Sequence, residues 1–261
     1  MRMRVLLPLA AMLVVASATT SSAALMSRVV EYEASGVPLQ GYMAWDNAVK
    51  GKRPGVMVVH EWWGHNQHAR NAADRLARAG YVAFALDMFG KGKLATHPDS
   101  AQAFVAQAMQ DATAIPDRFH AALAQLKTDE HVDASRIGAI GYCFGGAVVL
   151  GMARAGEDLK AVGTFHGALA TQHPAEPGRV KAKLLVMTGA ADPMIPADAV
   201  AAFEKEMTAA GASLRILRYP GAKHSFTNPN ADKSGVPGLS YNAEADKKSW
   251  AELIKFFKKE L

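Results

Sequence analysis

The chain has 261 residues, half of them hydrophobic and a fifth charged, with 29 Lys and Arg against 24 Asp and Glu for a formal charge of +5. That composition excludes a disordered or collagen-like chain, and the length allows a core that needs no metal or disulfide staple. A single cysteine rules out an internal disulfide; without aromatic-basic interleaving or a binding module, the mild basic excess gives no reason to expect nucleic acid as a partner.

The first 23 residues stand apart. Met1-Arg2-Met3-Arg4 is a short basic stretch, Val5 to Ala18 is apolar, and Ser21 and Ala23 occupy the −3 and −1 positions of a cleavage site. This is the pattern of a secretory signal peptide. The apolar run is short for a span of about 20 residues, so cleavage is expected, with no stable membrane insertion afterwards. Losing Arg2 and Arg4 lowers the charge from +5 to +3. The expected product is an exported chain, periplasmic or secreted. In an oxidising compartment a lone thiol is exposed to damage, which suggests that it has a use.

Residues 24–261 are expected to form a single α/β domain. Arg28 to Ala34 and Leu39 to Trp45 alternate like two half-buried antiparallel strands around a Gly36-Val37-Pro38 turn. From there the strands become short continuous apolar runs, as in a sheet covered on both faces. Gly55 to Val59 is the first, followed by a helix from about Gln67 to Ala79 and a strand from Tyr81 to Leu86. A long helical region, Pro98 to Lys127, is expected to break near Pro116. Arg136 to Ile140, Ala161 to Phe165, Lys183 to Met187 and Leu214 to Tyr219 are further strands. Pro196 to Ala210 and Glu244 to Lys259 are helices, and the lysines of the last one form a solvated face. Alternating strands and helices predict a doubly wound, mostly parallel sheet with an N-terminal antiparallel hairpin, and ligands bind such sheets at the carboxyl ends of the strands.

The chemistry begins at Gly141-Tyr142-Cys143-Phe144-Gly145, between an apolar strand and a small-residue helix. This is the strand–turn–helix pattern G-x-S-x-G with Cys in the serine position. The helix start directs N–H groups at the sulfur and favours thiolate. A buried structural cysteine is the bland alternative. Two later strand ends lead into Gly189-Ala190-Ala191-Asp192-Pro193 and Lys223-His224-Ser225-Phe226. Nucleophile, acid and histidine thus follow in the order of an α/β-hydrolase triad, with His224 as base for Cys143 and Asp192 fixing the imidazole. After Val59 comes His60-Glu61-Trp62-Trp63-Gly64, the loop that supplies one oxyanion-hole donor; this assigns the backbone N–H groups of Trp62 and Phe144. Glu61 is expected beside Cys143 as a proton partner. A metalloprotease reading fails, because H-E-x-x-H needs a histidine where Gly64 stands. No metal or other cofactor is expected.

These segments match the dienelactone hydrolase family in order and spacing, and the chain resembles that family over nearly its whole mature length. The resemblance implies an α/β-hydrolase fold and a small-molecule ester or lactone substrate opened through a Cys143 thioester. It also implies that Glu61 contacts the resting nucleophile and moves as substrate binds. Family enzymes hold a substrate carboxylate with two arginines. Lys91 stands in the loop of the first as a point charge, and Asn228, near the second, carries none. Trp62, Trp63 and Phe89 can build an apolar pocket, although core packing serves equally for Trp63. His166, ending its strand, is expected to line the site. Two other functions stay open: a non-catalytic exported binding protein on a hydrolase scaffold, and a redox role, which no second thiol supports.

Overall fold

A computed structural model describes residues 24–261; the leader expected over 1–23 lies outside the described residues. Eight strands form one sheet: β1 (Leu25–Ala34), β2 (Val37–Asp46), β3 (Arg53–Val59), β4 (Val82–Leu86), β5 (Val132–Tyr142), β6 (Ala161–Phe165), β7 (Lys183–Gly189) and β8 (Leu214–Tyr219). Their order is β1-β2-β4-β3-β5-β6-β7-β8. The β1–β2 and β2–β4 pairs are antiparallel and every other pair is parallel. The helices are α1 (Gln67–Arg78), α2 (Pro98–Met109), α3 (Ala114–Lys127), α4 (Phe144–Arg154), α5 (Ala197–Ala209) and α6 (Ala243–Glu260), with a short 3-10 turn at Ala231–Lys233.

Strand residues alternate between two cores. Met57, Val59, Phe84, Leu86, Leu184 and Val186 face one side with α3, α4 and α5, while Val56, Val58, Ala83, Ala85, Leu185 and Met187 face the other with α1 and α6. That period of two follows from the pleat. The facing helix α1 buries Ala69, Ala72, Ala73, Leu76 and Ala77, a stripe of small residues that lets it lie close to the sheet. Asn66 caps it by accepting from His68 N at 3.0 Å. In α6, Ala245, Ser249, Leu253 and Phe257 form the buried stripe, and its lysines lie outside it.

Two local expectations are corrected. The hairpin turn is Ser35-Gly36, both at positive φ (50° and 72°), so Val37 and Pro38 already belong to β2. Two central residues at positive φ give a hairpin turn whose twist matches that of its strands. The helical region breaks at residues 110–113, ahead of Pro116. Asp111 turns the chain there, accepting from Thr113 N at 2.8 Å. Pro116 lies in the first turn of α3, where a missing N–H breaks no helical hydrogen bond.

The order of connection positions the site. From β3 the chain goes to β4 on one side and then crosses to β5 on the other. The loops leaving β3 and β5 therefore diverge to opposite sides, opening a crevice at the carboxyl end of the sheet.

Candidate active site

Cys143 lies at this crevice, in the sharp turn between β5 and α4, with φ 51° and ψ −114°. A non-glycine residue there carries backbone strain. The turn is held by contacts that leave no room for side chains. A Cβ on Gly141 would run into the Gly145 carbonyl, and one on Gly145 would run into the carbonyls of Val59 and His60. Cys143 N donates to Phe165 O at 3.1 Å, and Gly145 N donates to His60 O at 3.1 Å. The second bond ties the start of α4 to the loop after β3. Gly145→Ala is expected to cost about 1–3 kcal/mol through this overpacking and to lower the melting temperature. Gly151→Ala, whose new Cβ meets nothing within 4 Å, is the control and should not lower it.

Asp192 and His224 come together as their strand ends require. His224 Nδ1 donates to Asp192 Oδ2 at 2.9 Å, and both side chains are buried. Asp192 Oδ1 accepts from Met194 N at 2.8 Å and Ile195 N at 3.2 Å, which fixes the carboxylate. Burial opposes charge on the His224 ring, but the Asp192 carboxylate and the Cys143 thiol outweigh it and push its pKa up to about 10. Its Nε2 is buried and makes no hydrogen bond among the described residues. With Nδ1 taken by Asp192, Nε2 is the nitrogen left to exchange a proton with Cys143.

The loop after β3 makes a turn in which Gly64 N donates to Glu61 O at 3.3 Å. Trp62 N sits second in that turn and Phe144 N is the first of α4, positions that have no local carbonyl to donate to. His60 supports the loop from below. It is buried, its Nε2 accepts from Met88 N at 3.1 Å, and its Nδ1 meets Glu61 O. Burial lowers its pKa, so it acts as a neutral strut.

A family model described as the dienelactone hydrolase family matches residues 39–261. The chain belongs to that family. It is a hydrolase of small-molecule esters or lactones. Protein usf of Aquifex pyrophilus is 30% identical over 242 residues, covering 90% of this chain and all of that protein. A relative from Aquifex aeolicus, provisionally named carboxymethylenebutenolidase, is 29% identical, covering 89% of this chain and 98% of its own. Among solved structures, the dienelactone hydrolase-like promiscuous phosphotriesterase P91, from metagenomic libraries, has a TM-score of 0.87 at 36% identity, covering 92% of this chain and 99% of its own.

Within this dienelactone hydrolase frame, three expected contacts are corrected. Glu61 makes no hydrogen bond to Cys143 among the described residues. Its Oε1 accepts from Ser225 Oγ and its Oε2 from Asn228 Nδ2, each at 2.6 Å. A buried carboxylate takes the donors within reach, and these lie on the His224 loop. Lys91 is engaged elsewhere in this structure: its Nζ pairs with Glu31 Oε1 at 2.7 Å on the surface, and its N donates to Pro38 O, which pins the loop to the hairpin. Phe89 is core, 2% exposed, with its ring 4.8 Å from His60 and 5.4 Å from Phe144.

The remaining aromatic groups divide. Trp62 and Trp63 are half-buried with rings 5.0 Å apart, and Trp62 packs against the core. His166 is fully buried at φ 42°, with its ring 5.1 Å from that of His224 and its Nε2 2.8 Å from Thr227 Oγ1. Burial holds its pKa well below the usual range, so a neutral ring backs His224. Ser225, Thr227 and Asn228 are members of the site that sequence reasoning did not assign. Their one signal was proximity to His224, since polar residues beside a buried histidine need buried partners.

Proposed function

We propose that the chain is an exported hydrolase in which Cys143 opens esters or lactones through a thioester. The supporting observation is the buried Asp192–His224 hydrogen bond, 2.9 Å long, behind a cysteine held in a strained strand-to-helix turn. With its pKa raised to about 10, the His224 ring already holds a second proton at neutral pH, the one the Cys143 sulfur gives up, and that sulfur attacks the carbonyl carbon. The negative charge on the carbonyl oxygen meets the N–H groups of Trp62 and Phe144, donors each worth about 10²–10³ in rate. As the C–O bond breaks, His224 returns the proton to the departing alkoxide. A water, deprotonated by His224, then attacks the thioester, releasing the acid and restoring the thiol. Asp192 keeps Nδ1–H oriented and offsets the positive charge that His224 carries between steps.

Mass spectrometry after mixing with nitrophenyl acetate tests this. An acetyl group on the peptide containing Cys143 is expected, together with a burst of nitrophenol. No adduct in the wild type, with turnover equal to that of Cys143→Ala, would falsify the thioester. The likeness to P91 at 36% identity recommends a phosphotriester in the same panel, because a thiolate flanked by two N–H donors also suits a phosphoryl centre. Export rests on the leader read over residues 1–23. Expressed with that leader in a bacterial host, the chain should leave the cytoplasm with Ala24 as its first residue, as read by N-terminal sequencing of cell fractions.

A further inference from the structure

The residue after the nucleophile has a second neighbour. Phe144 forms the inner end of an open groove of about 880 Å³ that follows the outer side of α4. The volume lies toward the top of the range of about 300–1,000 Å³ usual for ligand clefts, far more than a small lactone ring needs. Its floor is apolar, from Met109, Ile115, Phe144, Ala147, Val148 and Met152. Met109 is 64% exposed at its edge. The far end is polar, with the His120–Glu157 pair at 2.7 Å and the Arg179 guanidinium bound to Ala155 O at 2.9 Å. From Phe144 to Ala155 the helix rises about 16 Å. An apolar trough that starts at Phe144, the residue next to Cys143 in the chain, and ends in charge suits an extended chain attached to the scissile group.

We infer that this groove binds a long alkyl chain of the substrate, on either the acyl or the alcohol side of the ester; this rests on the hydrolase reading above. Gly151 makes the inference testable. It lines the groove midway along α4, and a Cβ built on it meets nothing within 4 Å. A larger side chain there leaves the helix into open space on the groove side.

The experiment measures kcat/KM of the purified chain on nitrophenyl esters from acetate to decanoate, and on alkyl acetates from ethyl to decyl. One series reads the acyl side and the other the alcohol side. Each methylene newly buried is worth about three- to fourfold, so one series should rise at least tenfold from short to long. In Gly151→Phe, and independently in Ala147→Phe, the long-to-short ratio should fall by about tenfold or more. A rise in either series that both variants abolish supports the groove. Flat series, or ratios that neither variant changes, overturn it while Cys143-dependent turnover leaves the hydrolase reading standing. A change of sedimentation state in both variants without a change of ratio makes the face an interface and also overturns it. Absence of any Cys143-dependent turnover removes the hydrolase reading itself, and this inference with it.

Discussion

Cys143→Ala is expected to lower kcat/KM on an activated ester by about 10⁴–10⁶-fold, the usual cost of deleting a triad nucleophile. The loss is that large because the remaining groups act chiefly through the sulfur. On the proposed mechanism, without the sulfur no acyl-enzyme forms, and only a slow direct attack by water remains to His224 and the donors at Trp62 and Phe144. Cys143→Gly separates chemistry from stability. At φ 51° the cysteine carries strain that a glycine does not, so this variant should be as inactive as the alanine one yet gain on the order of 1 kcal/mol. Steady-state rates and thermal melts on the same samples check both. An inactive variant that melts below wild type would mean that the Cys143 side chain contributes more by packing than the turn costs.

Asp192→Asn is expected to lower kcat by about 10⁴-fold with little change in binding. The amide presents a donor or a neutral acceptor to His224 Nδ1, so it neither fixes the tautomer nor stabilises the imidazolium. The consequence for pH has a definite sign. His224 has a pKa of about 10, above its ordinary 6.5, so its charged form stabilises the fold. That stabilisation is fully present below pH 6.5 and is lost as pH rises through 10. Wild type should therefore lose melting temperature across this window. Removing the carboxylate brings the His224 pKa down, and the variant's profile should be flatter over the same range. Melting curves from pH 6 to pH 10.5 measure the difference; parallel profiles would show that Asp192 is not what holds the proton.

Much of this was legible in the sequence because it is written in local pattern. The Gly-x-Cys-x-Gly segment, the acid and histidine at later strand ends, and the continuous apolar runs each depend on a few adjacent residues. What was not legible depends on which partner a side chain finds across the fold. Glu61 has several reachable donors, and nothing near it in sequence says that Ser225 and Asn228 hold it. Lys91 reads as a substrate anchor until the hairpin brings Glu31 beside it. Phe89 reads as a pocket wall until its ring proves to lie under Phe144. The groove along α4 escaped notice because it is a space between elements, bordered by the segment where α2 gives way to α3.

The clamp on Glu61 also has a meaning in time. Its partners are 164 and 167 residues further along the chain. Until that last stretch has docked, a carboxylate destined for the interior has no donors and favours a hydrated, open loop. Contacts of such long range carry a large loop-closure cost before they form. The nucleophile's turn can thus exist before a working catalyst does, and a fragment cut short of Ser225 lacks His224 in place as well as the clamp. Hydrolytic activity is therefore expected only of chains that carry the whole stretch through Asn228, and none of a fragment that ends before it.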